Sequence, residues 1–233
     1  MHVLAVSARP GDVEFAVGGT LTRFVDRGDA VTIVTIANGN SAASELPPRQ
    51  LAAASRSESE LAAKRLGVDL IWMNHSDFAV SGDAVTRLKM VEILRSKNPD
   101  LVLGPAPLSN IIDARAVWDL LLAVIEMASA PNVQSNSEAL ISPPALVAYE
   151  REWSVGFVPT EFVDVTEAFT SKIKTLNEHR SLSSRLKKER GLDLAEAART
   201  VGMYRGLQAG VPFAEAFCIE ARNSKVLPHR LLP

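Results

Sequence analysis

The chain has a single cysteine, Cys218, in 233 residues. No intrachain disulfide can form, nothing points to an oxidising compartment, and Cys218 reads as a small apolar residue rather than a reactive thiol. A surplus of charge is also lacking: Lys and Arg number 25 against 27 Asp and Glu. That balance gives no electrostatic reason to expect nucleic acid or an acidic membrane as partner. No apolar run reaches the roughly 18 uninterrupted residues of a membrane helix. The longest, residues 116–127, is broken by Asp119 and Glu126 and reads as a buried amphipathic helix. The start, Met1-His2-Val3-Leu4-Ala5-Val6, has neither basic n-region nor cleavage site and runs straight into a strand pattern. A cytoplasmic protein is the expectation. Histidine is scarce too, with only His2, His75, His179 and His229.

What is present is an ordinary globular composition, 47% hydrophobic and 22% charged, on a length that suits one α/β domain. Residues 3–6 form a short apolar run that ends at Pro10-Gly11. A helical stretch over 14–27 closes at Gly28. Residues 30–36, Ala-Val-Thr-Ile-Val-Thr-Ile, are β-branched at almost every position, the mark of a strand buried on both faces. The alternation continues with helix 49–66, strand 69–73, helix 84–97, strand 101–103, helix 114–128 and strand 146–149. This predicts a Rossmann-like, doubly wound, mainly parallel sheet over residues 1–150. A mainly helical part over 151–233 completes a single domain.

In such sheets a ligand sits outside the carboxyl ends of the strands. The loops at 9–14, 38–41 and 105–113 therefore line one crevice. The segment from Pro131 to Pro144, rich in Ser, Asn and Pro, predicts a mobile surface loop. No internal repeat or low-complexity tract is present.

The first of these loops reads Ala8-Arg9-Pro10-Gly11-Asp12-Val13-Glu14, followed by Gly18-Gly19-Thr20-Leu21. Arg56-Ser57-Glu58 leads to Leu66-Gly67-Val68, and Pro99-Asp100-Leu101-Val102 opens the fourth strand. Further on come Phe162-Val163-Asp164-Val165, Lys172, His179-Arg180-Ser181 and Ala214-Glu215-Ala216-Phe217. In order and spacing, over most of its length, the chain resembles the PIG-L/LmbE-like N-acetylglucosaminyl deacetylases. That resemblance implies a zinc-dependent hydrolase of amide bonds. The family's zinc ligands are the His of an Ala-His-Pro-Asp-Asp-x-Glu motif, its second Asp, and the last His of a His-x-x-His element after strand four. The first Asp is the general base.

Here the first His is Arg9, the base is Gly11, and only the second Asp remains, as Asp12. After strand four, Ile111 and Ala114 stand where the two His belong. A catalytic zinc needs about three protein ligands and an open position, and a guanidinium, always protonated, repels the ion. His2 lies at the wrong end of strand one, and His179 matches a position that is not a ligand. Zinc is therefore expected for the family and not supported by this sequence, and no cofactor is expected.

Arg9, Asp12, Glu14, Asp113 and Arg115 are expected to cluster about the old metal position, with Arg56 and His179 within reach. Either Arg9 pairs with a neighbouring carboxylate and plugs the hole, or it grips a phosphate or carboxylate of a ligand together with Arg56. Glu215 is expected to be a buried partner for an arginine of the terminal helices. Trp72, Trp118 and Trp153 are expected in the core, and Gly18-Gly19 at a close helix–strand contact. Three functions follow from this reading. One is a non-hydrolytic protein that binds a sugar-like ligand or serves as partner subunit. The second is an active N-deacetylase with a rebuilt site, and the third a structural protein with a plugged crevice. Homo-oligomerisation is left open.

Overall fold

A computed structural model describes residues 1–41, 46–107, 111–151 and 155–219 of the chain. Trp153, His229 and part of the 105–113 loop lie outside them. Five strands follow the expected alternation: β1 (His2–Ser7), β2 (Ala30–Ala37), β3 (Asp69–His75), β4 (Leu101–Pro105) and β5 (Ala145–Tyr149). Between them run α1 (Asp12–Asp26), α2 (Pro48–Leu66), α3 (Ala84–Lys97) and α4 (Ile112–Ala128). All five strands pair in parallel.

The last third is mainly helical, as expected, and it also extends the sheet. It holds α5 (Phe169–Leu176), α6 (Arg180–Arg190) and α7 (Leu194–Ala209), but also two strands, β6 (Glu161–Asp164) and β7 (Ala214–Ile219). Both extend the same sheet, in the order β3-β2-β1-β4-β5-β7-β6, with β7 antiparallel to β5 and to β6. Neither strand is longer than six residues, too short for periodicity to separate them from the helices around them.

Side chains alternate across the sheet as the pleat requires. Leu4, Val6 and Val34 face the layer of α3 and α4, with Met90, Leu94, Leu121 and Val124. Val3, Ala5 and Ile33 face the other layer, with Leu21 and Phe24 of α1 and Phe169 of α5. Trp118 is core as expected, while Trp72 is half-buried on the edge strand β3.

The strand order reverses between β1 and β4, and there the loops after the two strands diverge to open a crevice. Helix α1, which starts at that crevice, departs from helical geometry at Val17 (φ −132°, ψ 15°). The break leaves the amides of Gly19 and Thr20 to donate to the Glu215 carboxylate of β7, at 2.9 and 2.7 Å. Lys172 Nζ of α5 lies 2.6 Å from the same carboxylate, and both charged groups are buried. Glu215 is thus a buried structural partner, but of a lysine rather than an arginine. Close packing forces glycine at 19, where a Cβ would stand 2.7 Å from that of Val165.

The segment from 131 to 144 is anchored. Arg95 donates to the carbonyls of Ala128, Ala130 and Val133, and Glu92 accepts from the backbone of Asn136 and the hydroxyls of Ser135 and Ser137.

Candidate functional site

The loop after β1 turns sharply because Gly11 takes φ +87°, a conformation that disfavours any side chain. Gly11 is the residue before α1, and the turn is closed from both sides. The Arg9 amide donates to Asp12 Oδ2 at 2.9 Å, and the Asp12 amide to the Arg9 carbonyl at 3.2 Å. Asp12 and Glu14 fall in the first turn of α1, where the helix dipole favours negative charge.

Among the described residues three buried ion pairs fill the floor of the crevice. Arg9 Nε and Nη2 both donate to Asp113 Oδ2, at 2.9 and 2.7 Å, across the switch point. The same oxygen accepts from the Phe78 amide at 3.0 Å, and the Phe78 ring lies 4.6 Å from the Arg9 guanidinium. Phe78 is 63% exposed and held at φ +64°, so an aromatic ring covers the arginine from the solvent side. Asp113 Oδ1, by contrast, is buried without a hydrogen-bond partner among the described residues.

The second pair is Arg151 Nη2 with Asp12 Oδ1 at 2.6 Å. Arg151 follows β5 directly and is 2% exposed. The third is His179 Nε2 with Glu14 Oε1 at 3.1 Å, an ionic contact without the alignment of a hydrogen bond. Burial alone would push the Glu14 carboxyl up, but the attraction of His179 outweighs it and holds it below its ordinary range. Burial likewise opposes charging His179, and the Glu14 charge overcomes this to raise its pKa.

Helix α6 closes the crevice from above. Its start is fixed by Glu58 of α2, which accepts from the Ser181 amide and hydroxyl at 3.1 and 2.8 Å. Leu182 then comes down on Gly11: a Cβ at position 11 would meet Leu182 Cδ2 at 2.5 Å. Among the described residues two spaces open beside it. One, of ≈ 20 Å³, lies between Arg9, Ser55, Glu58 and His179; the other, of ≈ 200 Å³, lies between Arg9, Asp12, Phe15 and α6.

Arg9, Asp12, Glu14, Asp113 and His179 thus gather as expected. Two residues do not. Arg56 is exposed and pairs with Glu60 one turn on, at 2.9 Å. Arg115 also points away and is exposed, because the first turn of α4 turns Asp113 and Ala114 inward. Arg9's guanidinium is bonded to Asp113, and Asp12 takes its charge partner from Arg151. Arg151 escaped sequence reading, although its position just past the carboxyl end of a parallel strand was the signal. Leu182 carried no such signal, and Glu58 was visible only as the last residue of the Arg56-Ser57-Glu58 motif.

Among the described residues no three His, Cys, Asp or Glu side chains converge as a metal site requires. Ile111 and Ala114 supply no donor, and no helix of the described residues is long and apolar enough to cross a membrane.

Residues 4–125 match the PIG-L family, GlcNAc-PI de-N-acetylase. The chain belongs to this family. A diacetylchitobiose deacetylase of Thermococcus kodakarensis is 26% identical over 225 residues, 91% of this chain and 80% of that protein. The structure of N,N'-diacetylchitobiose deacetylase from Pyrococcus horikoshii superposes with a TM-score of 0.82 at 26% identity, covering 94% of this chain and 83% of that one. A TM-score of 0.82 also relates the fold to a 4-carboxy-2-hydroxymuconate hydratase from Pseudomonas putida, at 20% identity over 97% of this chain and 99% of that one. The family match contains Arg9, Asp12, Glu14 and Asp113, whereas their partners Arg151 and His179 lie beyond it.

Proposed function

We propose that this PIG-L family protein is non-hydrolytic: a pseudoenzyme that binds a sugar-like ligand in the crevice, or a partner subunit supporting an active relative. The observation that carries this reading is the pair of guanidinium groups at the floor. Arg9 and Arg151 neutralise Asp113 and Asp12, the carboxylates that would otherwise face a cation. Zinc does not fit such a site, since two fixed positive charges within bonding distance of its remaining carboxylates oppose a third. The position of the general base is Gly11, and Leu182 fills the space its side chain would take. Gly11 itself offers no side chain to draw a proton from water. The sugar-like character of the ligand is carried over from the deacetylase relatives, which name chitobiose.

The test is metal analysis on protein purified without chelator and dialysed, together with an assay for acetate release from diacetylchitobiose. No stoichiometric zinc, no thermal stabilisation by added zinc and no acetate release are the expected results. Zinc that survives dialysis, or hydrolysis that depends on Asp12, would overturn the reading.

A further inference from the structure

The ≈ 200 Å³ space beneath α6 is built unevenly. One wall is apolar and comes from three helices and a loop: Phe15 of α1, Leu182 and Leu186 of α6, Leu194 of α7, and Ile111 ahead of α4. The other wall carries charge. Asp12 contributes a carboxylate, but both its oxygens are engaged, one by Arg151 and one by the Arg9 amide. Arg9 lines the space with a guanidinium already bound to Asp113. Arg185 differs: half-buried on α6, it lines both spaces yet makes no ion pair or hydrogen bond among the described residues. Glu189, one turn on, is exposed at the rim and does not pair with it. Arg190 adds a further positive charge to that rim.

The volume sets the size of an occupant. Small-molecule sites run from about 300 to 1,000 Å³, so this space by itself suits a ligand smaller than the usual. An apolar cavity of about 150 Å³ lined by Leu, Ile and Phe accommodates benzene. A ring-sized apolar body therefore fits here, with room for one charged group on the side of Arg185. A polyhydroxylated ring suits the space poorly, since its hydroxyls would face the leucine wall without partners.

We propose that this cavity is a binding site for a small carboxylate with an apolar body of about the size of a benzene ring, its carboxylate held by Arg185. The proposal rests on the non-hydrolytic reading of the crevice and assigns this one space a ligand class of its own, beside the sugar-like ligand of the wider crevice. A carboxylate matches the planar fork of a guanidinium, the apolar wall covers the body, and the capped Asp12 leaves the floor nearly neutral toward an incoming anion.

The experiment is a titration with benzoate, followed by isothermal calorimetry and by thermal denaturation, with benzyl alcohol and N-acetylglucosamine as neutral comparisons. Benzoate should bind and raise the melting temperature. Benzyl alcohol should bind roughly tenfold more weakly or worse, the value of one charge-assisted hydrogen bond. Arg185→Gln should reduce benzoate to the level of benzyl alcohol while leaving the far-ultraviolet circular dichroism unchanged, and Arg185→Lys should restore part of the difference. Equal binding of benzoate and benzyl alcohol, no effect of Arg185→Gln, or no benzoate binding in the millimolar range would each overturn the site. Binding of N-acetylglucosamine without benzoate would overturn it and leave the non-hydrolytic reading standing, whereas zinc and acetate release would remove that reading first.

Discussion

Replacing Arg9 by Ala tests whether the ion pairs hold the crevice floor. Arg9 and Asp113 make a two-donor contact onto one oxygen, with side chains only 11% and 1% exposed. In Arg9→Ala that oxygen keeps, among the described residues, only the Phe78 amide, and a buried carboxylate is stranded. Breaking a buried pair in this way costs about 3–5 kcal/mol, and the lost contact with the Phe78 ring adds about 0.5–1 kcal/mol. For a chain of this size each kcal/mol lowers the melting temperature by about 2–4 °C, so a fall of roughly 7–24 °C is expected. Adding Asp113→Ala removes the stranded charge and should recover a large part of the loss. The coupling is read from a double-mutant cycle in urea, using midpoints at constant m-value. Arg56→Ala serves as the control, since an exposed i,i+4 pair contributes no more than about 0.5 kcal/mol. If Arg9→Ala behaves like Arg56→Ala, or Arg9 couples more strongly to Asp12 than to Asp113, the Arg9–Asp113 pair does not hold the floor.

Three further outcomes are expected. The Glu14–His179 pair gives a stability term with two edges. His179, raised above its ordinary 6.5, contributes fully below that pH and loses its contribution as pH rises through its folded value. Glu14, lowered from 4.5, contributes fully above that pH and loses it as pH falls. The stability difference between the native chain and His179→Gln, measured by urea midpoints from about pH 3 to pH 9, should therefore peak between 4.5 and 6.5; a flat difference would show that the pair is not ionised. Gly11→Ala should destabilise by about 1–3 kcal/mol through its positive φ, and more through Leu182; Leu182→Ala should relieve only the second part. Lys172→Met strands Glu215 and should lose about 3–5 kcal/mol, with Glu215→Gln in the same chain restoring part of it. Additive losses for that pair would mean that Lys172 and Glu215 do not sense each other.

The parallel sheet was legible because β-branched runs such as residues 30–36 have no other stable place than between two helical layers. Strands β6 and β7 were not, since Ala214–Ile219 includes a glutamate whose burial makes sense only beside Lys172 and the broken helix α1. At the site, Arg9, Asp12, Glu14 and Asp113 lie within a few residues of strand ends or helix starts, which fixes where they project. Arg56 failed for the opposite reason. A helix two turns long in either direction around it leaves rotation about the axis open, and the face toward the crevice belongs to Leu51, Ser55 and Glu58. Which carboxylate each arginine meets depends on the spacing of β1, β4 and β5, and no local pattern encodes that.

The two hydrogen bonds that the amides of α1 donate to Glu215 join residues 196 and 195 positions apart, and Asp12 waits for a partner 139 residues downstream. Synthesis meets these dependencies in order. A nascent chain that has left the ribosome up to β4 contains the whole first loop, yet its first helix is uncapped at the break and Asp12 lacks its counter-charge. Long closures of this kind form late, because their entropy must be met before their contacts exist. The crevice is therefore assembled last although its first loop is made first, and a fragment ending near residue 150 carries most of the sequence signature without the means to build the site.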